Sequence, residues 1–235
     1  MARVRSGIPG LDELIEGGFI ESSSVLVSGG AGSGKTIFAM QYIYKGAELY
    51  GEPGIYISME EGATNLWWNM KNFRWNLTKY EQDNLIKLYH VGMIEPAEFA
   101  HKFDEEIEKI KTMVNEMGAK RLVIDSTTAF GMWMGELSNI RYSLFKLTEE
   151  LKELKCTTVL TAETLGGRDQ FSRFGVEEFV TDTIISQYFR PPNRVIFVRK
   201  MRGSKHNQKP HPYEITDSGI VVSPKEEVMW ESLKD

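Results

Sequence analysis

The chain has 235 residues, 41% hydrophobic and 26% charged, and its 28 Lys and Arg against 33 Asp and Glu leave a formal net charge of -5. That balance excludes a disordered chain, and the length suffices to bury roughly 70% of the unfolded surface in one substantial core. No uncharged apolar run approaches the ~18–20 residues of a membrane span, the N-terminus lacks a signal peptide's apolar stretch, and Cys156 is alone, so a cytoplasmic protein without membrane, disulfide or zinc cluster is expected.

In chain order, Val25–Val27 reads as a short buried strand ending in glycines. Thr36–Tyr50 follows as a helix, with Phe38, Ala39, Tyr42, Ile43 and Leu49 at helical spacing, and Gly51–Gly54 breaks it. Ile55–Met59 is a strand, Ala63–Asn72 a helix and Ile86–Val91 a strand. Phe99, Phe103, Ile107, Ile110, Val114 and Met117 mark a long amphipathic helix ending at Gly118. Leu122–Ile124 is a strand, Leu137 to Leu154 a helix stepping by three and four, and Thr157–Thr161 a strand. Beyond Thr181, the runs Thr183–Phe189, Arg194–Lys200, Tyr213–Ile215 and Ile220–Val222 are separated by Pro-Asn and Asp-Ser-Gly turns, as antiparallel strands are. The pattern predicts an α/β fold: a mainly parallel β-sheet with helices on both faces and antiparallel strands at the C-terminal end. Residues 1–235 read as one domain, with 224–235 a docked helix or tail.

Gly29-Gly30-Ala31-Gly32-Ser33-Gly34-Lys35-Thr36 fits G-x-x-x-x-G-K-[ST] between a strand and a helix. Glycines let the backbone wrap a phosphate with N–H groups inward, and the helix presents its positive end. Lys35 adds a charge at the β- and γ-phosphates, and Thr36 offers a hydroxyl to Mg²⁺. Asp125 ends an apolar strand at the edge where parallel sheets bind ligands and is the second expected metal residue. Glu60 and Glu61 follow another strand there, as candidates to orient or deprotonate the water attacking a γ-phosphate. Neighbours on an extended segment point opposite ways, which favours Glu60, with Glu61 in support. Trp67, Trp68 and Trp75 read as core packing rather than base stacking.

Together these elements resemble the RecA superfamily of ATPases and, within it, the KaiC-like branch. The likeness covers nearly the whole chain: the opening segment Ser6–Phe19, the Glu60-Glu61 pair matching the paired catalytic glutamates, and Val123-Ile124-Asp125-Ser126 matching the Walker B strand. Phe174–Asp182 and Lys200–His206 are the segments more specific to KaiC. The resemblance implies a homo-oligomeric, hexameric ring with ATP and Mg²⁺ at each subunit interface, where residues matching Lys200, Arg202 and His206 reach the neighbour's nucleotide. It also matches Asn72, Ser204, Thr216 and Asp217 to nucleotide-contacting positions. Two departures bear on function. The clock member has two such domains where this chain has one, and Glu178-Phe179 replaces its hydroxyl-bearing phosphoacceptors, so neither a clock role nor autophosphorylation is carried over.

The leading expectation is a regulatory or signalling ATPase with a protein partner. Two alternatives stand beside it. One is a DNA-stimulated recombination ATPase, using Leu165–Phe174 as a channel loop; the acidic balance weighs against nucleic acid, although Arg194, Arg199, Lys200, Arg202, Lys205, His206 and Lys209 form a basic run. The other is a nucleotide-gated scaffold that scarcely hydrolyses ATP.

Overall fold

The computed structural model describes residues 1–92, 94–95, 98–129, 137–165 and 170–229. A two-stranded antiparallel ribbon pairs β1 (Arg3–Val4) with β2 (Phe19–Ile20). The main sheet contains β3 (Ser24–Gly29), β4 (Gly54–Ser58), β5 (Ile86–His90), β6 (Arg121–Asp125), β7 (Thr157–Glu163), β8 (Thr183–Arg190), β9 (Asn193–Met201), β10 (His211–Thr216) and β11 (Gly219–Val222). Their order is β11-β10-β9-β8-β3-β7-β6-β4-β5. The strands from β8 to β5 run parallel, and β9, β10 and β11 continue antiparallel from β8.

Seven described helices connect them: α1 (Leu11–Leu14), α2 (Lys35–Tyr50), α3 (Ala63–Met70), α4 (Leu77–Gln82), α5 (Phe99–Met117), α6 (Leu137–Glu153) and α7 (Glu177–Val180). Alternation along each strand feeds two cores. Val25, Val27, Tyr56, Val123 and Val159 pack with Phe38, Tyr42 and Ile43 of α2. Leu26, Ile55, Ile57, Leu122 and Leu160 pack with Phe103, Ile107 and Ile110 of α5 and Leu144 and Leu147 of α6. A central strand buried on both faces has no polar side to show, hence the unbroken apolar runs.

Every strand expected from the sequence is present, and the long helices begin and end within a few residues of expectation. The short pieces β1, β2, α1, α4 and α7 give too few apolar positions to register a period. At α4, helix formation rests on Asn76, whose side chain caps the Lys79 N–H at 3.2 Å. The segment after Val222 is tied back to β10, with Val228 N donating to Pro210 O at 2.9 Å and Lys209 paired with Glu227 at 2.7 Å. Residues 230–235 of the expected tail and 166–169 of the expected channel loop lie outside the described residues.

The β8–β9 ladder carries one irregularity. Ile184 faces Lys200, yet Ile185 faces Val198, so Arg199 is an extra residue on β9. Ile196 and Val198 pack in the α2 core, and after the extra residue it is Met201 that does so. Lys200 therefore sits on the opposite, α7-bearing face.

Candidate nucleotide-binding site

β3 ends at Gly29, flanked in register by Glu163 of β7 and Gln187 of β8. A Cβ on Gly29 would lie 2.4 Å from Gln187 O and 2.6 Å from Ser33 Oγ, so only glycine fits. Gly34 has φ 90, a left-handed conformation that lets the chain turn directly into α2. The loop is backed from β10: the Tyr213 hydroxyl donates to Ser33 O, and Ile215 packs on Gly34. Inside the loop, Ser33 Oγ and Lys35 Nζ both donate to Gly30 O, at 2.8 and 3.2 Å. Burial lowers the pKa of the Lys35 ammonium from its ordinary value, against the opposing fields of Glu163, Asp125 and Glu60.

Asp125, at the tip of β6, collects three hydroxyl donors. Thr36 Oγ1 reaches its Oδ2 at 2.9 Å, Tyr56 donates to the same oxygen, and Thr161 donates to Oδ1. Burial, then the Asp125 charge, holds the Tyr56 phenol well above its ordinary pKa, so it remains a donor. The Thr36–Asp125 pair is a hard-oxygen donor set suited to Mg²⁺, which takes few protein ligands and completes its shell with water and phosphate oxygens. Among the described residues there is no group of three or more His, Cys, Asp or Glu that could hold a metal ion.

The two glutamates after β4 diverge. Glu60 Oε1 accepts from Ser126 Oγ at 2.7 Å, which turns it toward the tip of β6, and its charge acts on Lys35. Glu61 is drawn to α3, where its carboxylate accepts from Asn69 at 3.0 Å, while its own N–H donates to Ser58 Oγ at 3.1 Å. Glu163 was not anticipated from the sequence. It ends β7 as Asp125 ends β6, and the same strand-edge reasoning would have found it had the strand been extended by two residues.

Thr216 and Asp217, at the tip of β10, share that end of the sheet. Asp217 O accepts from Arg74 N at 2.8 Å, and its carboxylate pairs with Arg74 at 2.6 Å, which brings the exposed Asn72 segment alongside. Trp75 donates to Ser218 O at 3.2 Å and stacks on Phe73 at 4.5 Å. Trp67 packs against the α2 core, whereas Trp68 is 74% exposed and is not the core residue expected.

Lys200, Arg202, Ser204 and His206 lie at the other end. Lys200 Nζ donates to Glu178 O and Thr181 O at 2.8 and 2.6 Å, and Arg202 Nη2 donates to Phe179 O at 3.2 Å, so one short helix carries both. Ser204 Oγ accepts from Arg3 at 2.6 Å and donates to Glu16 at 2.9 Å. Neither ring nitrogen of His206 has a hydrogen-bond partner among the described residues. Lys200 pairs with Ile184 and Gly29 with Gln187, so three residues and two strand spacings, roughly 14 Å, separate Lys200 from its own phosphate loop. The basic run is dispersed accordingly, with Arg194 against Gly32 O and the Phe189 ring, and Arg199 against Ser186 and Phe171.

A family model described as "ATPase: KaiC" matches residues 4–227. The UPF0273 protein MJ1359 of Methanocaldococcus jannaschii is 36% identical over 237 residues, covering 95% of this chain and 97% of that one. The circadian clock oscillator protein KaiC of Synechococcus elongatus is 33% identical over 231 residues, covering 95% of this chain but 44% of its own length. Among solved structures, the KaiC-like protein PH0186 from Pyrococcus horikoshii superposes with a TM-score of 0.84 at 42% identity, over 95% of this chain and 99% of that one.

Proposed function

The chain belongs to the KaiC family of ATPases, and from that premise we propose that it binds and hydrolyses ATP as a homo-oligomeric, hexameric ring whose nucleotide state is read by a protein partner. The observation that carries this reading is the separation of the two halves of the site. Gly29 to Thr36, Glu60 and Asp125 gather at one end of the sheet, whereas Lys200 and Arg202 stand roughly 14 Å or more away at the other. Cations that cannot reach their own loop can serve the loop of a neighbour, as a head-to-tail ring requires.

In this reading, the loop N–H groups and Lys35 hold the phosphates, and Asn72, Thr216 and Asp217 approach from the side of β10. Thr36 and Asp125 would hold Mg²⁺, which when bound neutralises charge on the β- and γ-phosphate oxygens. Glu60, fixed by Ser126, orients the attacking water and accepts its proton. Glu61, engaged with Asn69, stands behind it. The neighbour's Arg202 offsets the charge developing on the γ-phosphate, with Lys200, Ser204 and His206 shaping the same surface.

The test is phosphate release together with mass in solution, with and without ATP–Mg²⁺, for the unmodified protein and Glu60→Gln. ATP should drive or stabilise a ring. Glu60→Gln should keep ATP binding and lose hydrolysis by about 10²–10⁴-fold. Negligible release by the unmodified protein would leave a nucleotide-gated scaffold instead, and a monomer with rapid turnover would refute the shared site.

A further inference from the structure

Between β9, which ends at Met201, and β10, which begins at His211, the chain leaves the sheet. That segment carries Arg202 and His206. Arg202 N donates to Asp182 O at 3.0 Å, and Asn207 N donates to Leu14 O at 2.8 Å. Ser204 lies between these two moorings, and the group that grips it is Arg3 of the β1–β2 ribbon. The Arg3 guanidinium meets four acceptors at once. Nη1 donates to Ile15 O and Gly18 O, each at 2.9 Å, and Nη2 donates to Ser204 Oγ at 2.6 Å and to the Glu16 carboxylate at 3.1 Å. Ser204 Oγ lies 2.9 Å from both that carboxylate and Lys205 O, so its one proton has an acceptor on either side. The turn also rests on the ribbon, since a Cβ on Gly203 would lie 3.4 Å from Ile20 Cδ1. The Arg3 side chain is 22% exposed and faces its own subunit, whereas that of Arg202 is 54% exposed. Only a planar fork with five donors fits such a set; a lysine ammonium is a point charge with three.

We propose that Arg3 is a positioning residue for the neighbour's nucleotide site: it fastens the segment from Arg202 to His206 to the β1–β2 ribbon, so that the cations a subunit lends arrive already in place. This rests on the shared-site reading and deepens it by naming what holds the lent half. Arg3 touches no nucleotide; it acts through Ser204 and the turn that carries Arg202. Without the fork, the segment has to be ordered afresh at each engagement, which weakens the contact. A misplacement of about 1 Å at a reacting centre is enough to lower a rate by on the order of 10²-fold.

The experiment sorts Arg3→Ala by the half of the site that it damages. Phosphate release and ring mass are measured for Arg3→Ala alone, and again after it is denatured, mixed in equal amounts and reassembled with Lys35→Ala or with Arg202→Ala. Alone, Arg3→Ala should release phosphate about 10- to 100-fold more slowly than the unmodified protein. Lys35→Ala, whose cations are intact, should restore release toward a quarter of the unmodified rate, because about a quarter of head-to-tail junctions then join a sound cradle to sound cations. Arg202→Ala should restore nothing, since both variants damage the lent half. A general loss of packing would spoil the cradle too, and then neither mixture recovers. Arg3→Lys, which keeps a charge beside Glu16 without the fork, should sort the same way and stands in if Arg3→Ala forms no rings. Unmodified turnover in the variant that assembles, recovery with neither partner, recovery with both, or failure of both variants to assemble overturns the inference. If Lys35→Ala and Arg202→Ala form mixed rings yet do not restore each other, the shared-site reading itself falls, which is a separate failure.

Discussion

A mixing experiment isolates the shared site most directly. Lys35→Ala removes the ammonium that the loop folds around Gly30 O and should disable the cradle of its own subunit while leaving Lys200 and Arg202 available to a neighbour. Arg202→Ala does the reverse; among the described residues its guanidinium, itself exposed, contacts Phe179 O at 3.2 Å and Asp182 at 3.6 Å, so the fold should tolerate its loss. Each variant alone should be close to inactive. In an equimolar ring assembled at random, a junction is competent only when the cradle comes from an Arg202→Ala subunit and the cation from a Lys35→Ala subunit, or about a quarter of head-to-tail junctions. The assay is phosphate release after the variants are denatured, mixed and reassembled, with mass measured in parallel to establish ring formation. Recovery near that quarter supports cations lent between subunits. If rings form and the mixture stays as inactive as its parts, Lys200 and Arg202 do not complete a neighbour's site, and the reasoning from strand register is wrong.

Two further outcomes test the packing beneath the site. A Cβ on Gly46 of α2 would lie 2.3 Å from Arg121 Cδ and Nε. Arg121 is fully buried, bonded to Glu52 at 2.7 Å and to Tyr42 O at 3.0 Å. Gly46→Ala should therefore push the buried Arg121 from its place beside the partly exposed Glu52 and cost ~1–3 kcal/mol by urea titration; no measurable loss would contradict the geometry. Glu177, at the start of α7, is 1% exposed, and its Oε1 has no hydrogen-bond partner among the described residues. Burial raises its pKa from 4.5. Because the folded pKa lies above the unfolded one, its contribution to stability is intact below 4.5 and is lost as pH rises through the folded value. Glu177→Gln should accordingly raise stability at pH 8 by ~1–2 kcal/mol, a gain that shrinks toward pH 4; an equal effect at both pH values would exclude a titrating carboxyl.

Some of this molecule is written locally, and some exists only after folding. The phosphate loop is legible because each requirement is met within eight residues: glycine where the chain turns left-handed, Lys and Thr where the helix begins. Asp125 is legible because a charge ending an apolar strand is conspicuous. Glu163 is equally a charge at a strand tip, yet Ala162-Glu163 carries no strand signal of its own and extends the strand only because Ser28 and Gly29 lie alongside. The hydroxyls of Tyr56 and Thr161 look like ordinary strand residues until β4 and β7 bring them to Asp125. The basic run reads as one patch along the chain, and an antiparallel strand spreads it from Arg194 at the loop to Arg202 at the far edge.

The single extra residue at Arg199 has an architectural consequence. In a regular ladder, Lys200 would share a side with Ile196 and Val198, and its ammonium would be driven into oil. By adding one step, the bulge exchanges inside for outside at Lys200 and Met201 and gives the ammonium the carbonyls of Glu178 and Thr181 in place of apolar side chains. A one-residue deletion there would turn Lys200 toward the α2 core and Met201 away from it.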